Sequence, residues 1–168
     1  MPMITGELKW YTVASTIEQA VYAELTTKPD RHSVVPGAIA WDECDCGLLA
    51  VSVARIFLTE TFPDELSRRI GNACDAPYEV GEVVIQVVRC APNPDGPLTA
   101  PTTTELDASA QEVLRDAYEM LTAVSVKLCE MNRDREIADF MVRPITAQGP
   151  SGGCVGNELR AYVALGRN

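Results

Sequence analysis

The densest concentration of reactive side chains lies in WDECDCG, from Trp41 to Gly47. Cys44 and Cys46 stand one residue apart among Asp42, Glu43 and Asp45, so metal ligation, thiol redox chemistry and cation binding are all open by residue type. Each of these needs partners. A zinc site wants four Cys or His ligands, usually as two close pairs. The chain has six cysteines (Cys44, Cys46, Cys74, Cys90, Cys129 and Cys154), no C-x-x-C, and a single histidine, His32, 12 residues before Cys44. A thiol nucleophile needs a base within hydrogen-bonding reach. His32 lies in a polar stretch expected to be a loop, and no spacing ties it to a cysteine. The acids lack the D-x-[DN]-x-[DN]-G pattern and the distal Glu of a calcium loop.

The remaining candidates are no stronger. Asp64/Glu65 and Asp116/Glu119 are carboxylate pairs, but aromatics make up only 6% of the chain, few for a sugar platform; these acids are expected to face solvent. The glycine-rich GPSGGCVGNEL lacks the spacing of a phosphate loop, and a strand follows it where such a loop needs a helix. No catalytic, cofactor-binding or metal-ligating residue is therefore assigned. The N-terminus MPMITGELKW has no basic region with a long apolar stretch, so a secretory leader is not expected. The thiols are expected to be reduced and mostly buried, behaving as small hydrophobes. If one of the close pair is bridged, the expected bond joins Cys46 to Cys74, in the loop after the next strand. The reading from a different class is a small Cys-dependent enzyme or metal-binding module built on Cys44 and Cys46.

The elements that would position these residues emerge from composition and period. The 168 residues fit one domain, 1–168, with 46% apolar and 23% charged residues. No apolar run approaches the ~20 residues that cross a bilayer, so no membrane partner is expected. The 24 acidic and 14 basic residues leave a net charge of −10. Protein that grips nucleic acid presents a basic patch, and Arg68-Arg69 and Arg133-Asp134-Arg135 are too small and mixed to form one.

Val13, Ile17, Val21 and Leu25 recur every four residues and predict a helix capped at Thr12 or by a Ser15–Glu18 box, ending near Lys28. Residues 29–47 read as irregular, with a turn at Pro36-Gly37. LLAVSVARIFLTE and VGEVVIQVVRCAP read as long strands, the second with Val83, Ile85 and Val87 on one apolar face. The proline-rich APNPDGPLTAP follows as a loop or extended arm. Thr102 and Glu105 have capping-box spacing. Apolar residues then recur at Leu106, Ala110, Val113, Ala117, Leu121, Val124, Leu128 and Met131, predicting a core helix of roughly 40 Å. ADFMVRPITA and NELRAYVAL read as two more strands around the glycine-rich loop. The order α-β-β-α-β-β predicts an α+β fold, with a mainly antiparallel four-stranded sheet backed by a long helix and the N-terminal helix.

The pattern of blocks resembles a known family. VVIQVVRCAPNPD, a proline-rich gap, LDASAQEVLRDAYEMLTAV and a late GPSGGCVGNELRAYVAL are similar to the small neck proteins of long-tailed actinobacterial phages, most of all their tail terminators. The likeness runs from about Cys46 to Leu165. It rests on block order, on Arg89-Cys90 and on Gly152-Gly153-Cys154-Val155-Gly156. The resemblance implies a structural virion protein: a hexameric ring that caps the tail-tube protein, ends tube growth and presents a surface to the head connector. It implies assembly in the host cytoplasm, DNA passing through the lumen without specific binding, and no cofactor. The nearest rival is a head-to-tail stopper or adaptor. Contacts with neighbours are expected from Pro92, Asn93, Pro94, Asp95, Pro97 and Leu98, and from Gly149, Pro150, Gly152 and Gly153.

Overall fold

The valine-rich segment around Ile85 forms the middle of a sheet, with a strand hydrogen-bonded on each side. The computed structural model describes residues 3–39, 47–65, 76–93 and 99–167. In chain order the elements are α1 (Lys9–Glu24), β1 (Arg31–Val34), β2 (Leu48–Thr59), β3 (Tyr78–Cys90), α2 (Thr103–Arg133), β4 (Asp139–Val142), β5 (Thr146–Ser151) and β6 (Cys154–Gly166). Strand β3 pairs antiparallel with β2 (Val51 opposite Ile85) and with β6 (Ile85 opposite Leu159). Strand β1 lies parallel to β2 at one edge. At the other edge β4 and β5 share β6, taking its residues 161–164 and 154–158 in turn.

The α+β class holds, but the expected four-stranded antiparallel sheet is a six-stranded mixed one. β1 escaped the sequence because its residues, Arg31-His32-Ser33-Val34, are largely exposed and show no apolar alternation. The expected strand 138–147 breaks at Arg143-Pro144-Ile145, since proline cannot donate to a ladder. Most of the expected glycine loop is strand. Ser151 pairs with Cys154, and Gly152 and Gly153 between them have φ of 56° and 73°. Both central residues of a two-residue hairpin turn need positive φ, which glycine adopts without steric cost.

One face of the sheet is the core. Leu49 and Val51 of β2, Val83, Ile85 and Val87 of β3, and Leu159, Ala161, Val163 and Leu165 of β6 join the inner sides of both helices. Helix α1 begins at Lys9, ahead of both expected caps, and its Leu8 cap makes no side-chain hydrogen bond. Ser15 is therefore interior to the helix and Glu18 is buried. The helix ends at Glu24, where Lys28 donates to the carbonyls of Tyr22 and Ala23. Trp10 lies over Gly81, where any Cβ would come within 2.3 Å of the indole.

Helix α2 starts with the expected capping box at Thr102 and Glu105 and runs 31 residues, about 46 Å at 1.5 Å per residue. Its buried side coincides with the expected one at Val113, Val124, Leu128 and Met131 and departs from it elsewhere. Val113, Asp116, Met120, Ala123, Val124, Leu128 and Met131 face inward, whereas Leu106 and Leu121 are exposed. A stripe read at alternating steps of three and four also gathers apolar residues that belong to a second face.

Candidate partner-docking site

The two loops implicated by the resemblance meet at one end of the molecule. The Ala91 N–H donates to the Gly153 carbonyl at 2.7 Å. Asn93 approaches so closely that a Cβ on Gly153 would lie 3.3 Å from its Nδ2. Gly149 and Gly152 also take positive φ. Pro92 and Pro150 then line a common hollow of about 250 Å³ with Ala91, Val155 and four residues of the first turns of α2: Leu106, Ser109, Ala110 and Val113. Those eight side chains are carbon-rich, with Ser109 the one hydroxyl. Of the expected contact residues, Pro94, Asp95, Pro97 and Leu98 lie outside the described residues, as do Cys44, Cys46 and Cys74.

The end of β3 is anchored by a buried ion pair. Arg89 makes a two-pronged contact with Asp116, Nε to Oδ2 at 2.8 Å and Nη2 to Oδ1 at 2.9 Å, and Nη2 also donates to the Thr27 carbonyl at 2.7 Å. Both side chains are buried. Burial disfavours the charged guanidinium, but the hydrogen bonds and charge of Asp116, with help from Glu112 and Glu119, hold its pKa above the ordinary value. One side chain thus ties β3, α2 and the segment after α1 together. Asp116 and Glu119, expected in solvent, are both engaged: Glu119 accepts from the N–H and hydroxyl of Thr26.

Cys90 and Cys154, expected as free thiols, are disulfide-bonded, and they stand opposite each other in the β3–β6 register. Both oxidised cysteines thus stand at the hairpin-turn end of β3 and β6, a position that sequence spacing does not display. Among the described residues Cys129 is a free, exposed thiol. His32 sits on β1, not in a loop; its Nδ1 meets Glu18 and its ring stacks on Tyr22 with centroids 3.9 Å apart.

The sheet face away from the helices carries a polar row. Glu82, buried, accepts from Arg55 Nε at 2.6 Å and Arg160 Nη1 at 2.8 Å. Arg160 Nε continues to Glu158 at 2.7 Å, and Glu158 accepts from Gln86 at 2.9 Å. Burial pushes the Glu82 carboxyl up, yet the two arginines overcome it and leave the pKa below the ordinary value. Every member of this row has its partner, so it reads as a brace across β2, β3 and β6.

Compared with protein-family models and with curated proteins, the chain matches none. Among the described residues no group of three or more His, Cys, Asp or Glu side chains is arranged to hold a metal ion. No described helix is long and apolar enough to cross a membrane. The chemistry of the hollow is that of contact: shape and carbon surface. Sequence reasoning named Pro92, Asn93, Gly149, Pro150, Gly152 and Gly153 but missed the α2 contribution. Leu106, Ala110 and Val113 belonged to the apolar stripe read from the sequence, which did not show that they open onto this hollow.

Proposed function

We propose that this chain is a ring-forming structural protein of a phage neck, a tail terminator that caps the tail tube and joins it to the head connector. One observation carries the reading. Ala91, Pro92, Pro150 and Val155, from segments nearly 60 residues apart in the chain, converge with the start of α2 on one apolar hollow. Of the residues that carry the resemblance, Val155 lines it, and Arg89 and Cys90 pair with Val155 and Cys154 in the neighbouring strand. A rigid, carbon-lined recess at the tip of a hairpin suits docking better than turnover. The net charge of −10 suits a lumen through which DNA slides without sticking. On this reading the protein acts in the virion, its partners being copies of itself, the tail-tube protein and the connector.

The test is to add purified protein to tail tubes while they are still growing. Expected are hexameric rings in solution or on tube ends by electron microscopy, with tube length arrested. A strict monomer that leaves tubes growing overturns the reading.

A further inference from the structure

The hollow lies at the Cys90 end of β3. At the Tyr78 end of this 13-residue strand, about 40 Å distant, the surface has the opposite shape. There Trp10 and Lys9 are tied to Glu79, and the residues flanking them, Leu8 and Tyr11, project into solvent with 71% and 57% of their surface exposed. One end of the chain thus carries an apolar recess and the other an apolar projection.

Charge distinguishes the two ends as well. Apart from Asp116, which is buried and paired with Arg89, α2 between Thr103 and Glu119 holds Glu105, Asp107, Glu112 and Glu119 against Arg115; beyond that it holds Lys127 and Arg133 against Glu130. At the projecting end the exposed Arg133, Arg135 and Arg167 offset Glu7, Asp134 and Glu136. Two hollow ends repel each other, whereas a hollow end and a projecting end do not.

We infer that the hollow formed by Pro92, Pro150, Leu106 and Ala110 receives Leu8 and Tyr11 of a second copy of this chain, giving a head-to-tail contact between unlike surfaces. Such a contact closes into a ring when its rotation allows. The inference rests on the ring-forming reading above and specifies which surfaces would form the ring. Apolar knobs seated in a preformed recess suit a ring protein, because like ends cannot pair and terminate growth early.

The experiment uses two variants of the full chain, Ala110→Glu in the hollow and Tyr11→Glu in the projection, both at exposed positions. Sedimentation velocity at matched concentration should show wild type as a closed oligomer and each variant as a monomer, with at least a tenfold loss of assembled species. A one-to-one mixture should give a heterodimer and nothing larger, since the pair retains one intact hollow and one intact knob. Circular dichroism reports folding, and Leu106→Lys with Leu8→Lys replaces any variant that misfolds. Variants that assemble like wild type, or a mixture that stays monomeric, overturn this interface while leaving the ring reading standing. Wild type that never assembles, alone or on tubes, removes the ring reading itself.

Discussion

Arg89 was singled out by its place in the VVRCAPNPD block, and the structure gives that residue a physical task. With Asp116 it holds β3, α2 and Thr27 in one arrangement. Removing one member of a buried pair leaves an uncompensated charge in a low-dielectric site, at about 3–5 kcal/mol. Asp116→Ala is therefore expected to lower the unfolding free energy by that amount, measured by urea denaturation, while Arg89→Met with Asp116→Leu together should cost much less. A double variant as damaged as the single one would show that lost packing, not the stranded charge, dominates. Nothing in the sequence near Arg89 announces Asp116; the pair is 27 residues apart and meets only because α2 packs back against the sheet.

At the scale of elements, what was legible followed local rules. The Thr102–Glu105 box, the apolar face at Val83, Ile85 and Val87 and the long strands all rest on periods of two or near four within one segment. Strand β1 was illegible because its backbone, not its side chains, makes the contact with β2. The glycine pair at 152–153 read as a loop because a tight turn and a long loop share composition. Of the candidate site, the two loop segments could be named, but their convergence with α2 could not, since it depends on pairing between distant strands. The row across β2, β3 and β6 shows the same dependence, and it sets a pH response. Glu82 and Glu79 both sit below the ordinary glutamate value of 4.5 when folded. Their stabilisation is thus complete above that value and is lost as pH falls through the lower folded values. Glu82→Gln should flatten the decline of unfolding free energy as pH falls below 4.5; an unchanged slope would remove Glu82 from the account.

The molecule as a whole is a two-layer body with a braced sheet and one end clamped covalently. Cross-links restrict the unfolded chain, typically by about 2–4 kcal/mol each. Reduction of the disulfides at Cys90 and Cys154 should therefore shift the urea midpoint downward and loosen the hollow between Pro92 and Pro150 before the rest unfolds. Hydrogen exchange at residues 91–93 and 149–156 reads this out, and protection unchanged by reductant would separate the hollow from its covalent frame. WDECDCG drew attention for its chemistry, yet among the described residues the oxidised cysteines stand elsewhere, at the paired ends of β3 and β6.

The split edge of the sheet has a consequence for a protein made in many identical copies. An open strand edge can template the next molecule, and that path leads to fibrils. Here the free side of β6's partners is cut into runs of four and six residues by Arg143-Pro144-Ile145, with Pro150 interrupting the second. A proline-broken edge cannot be copied strand upon strand, so association by endless sheet growth is closed off and discrete contacts through side-chain surfaces remain.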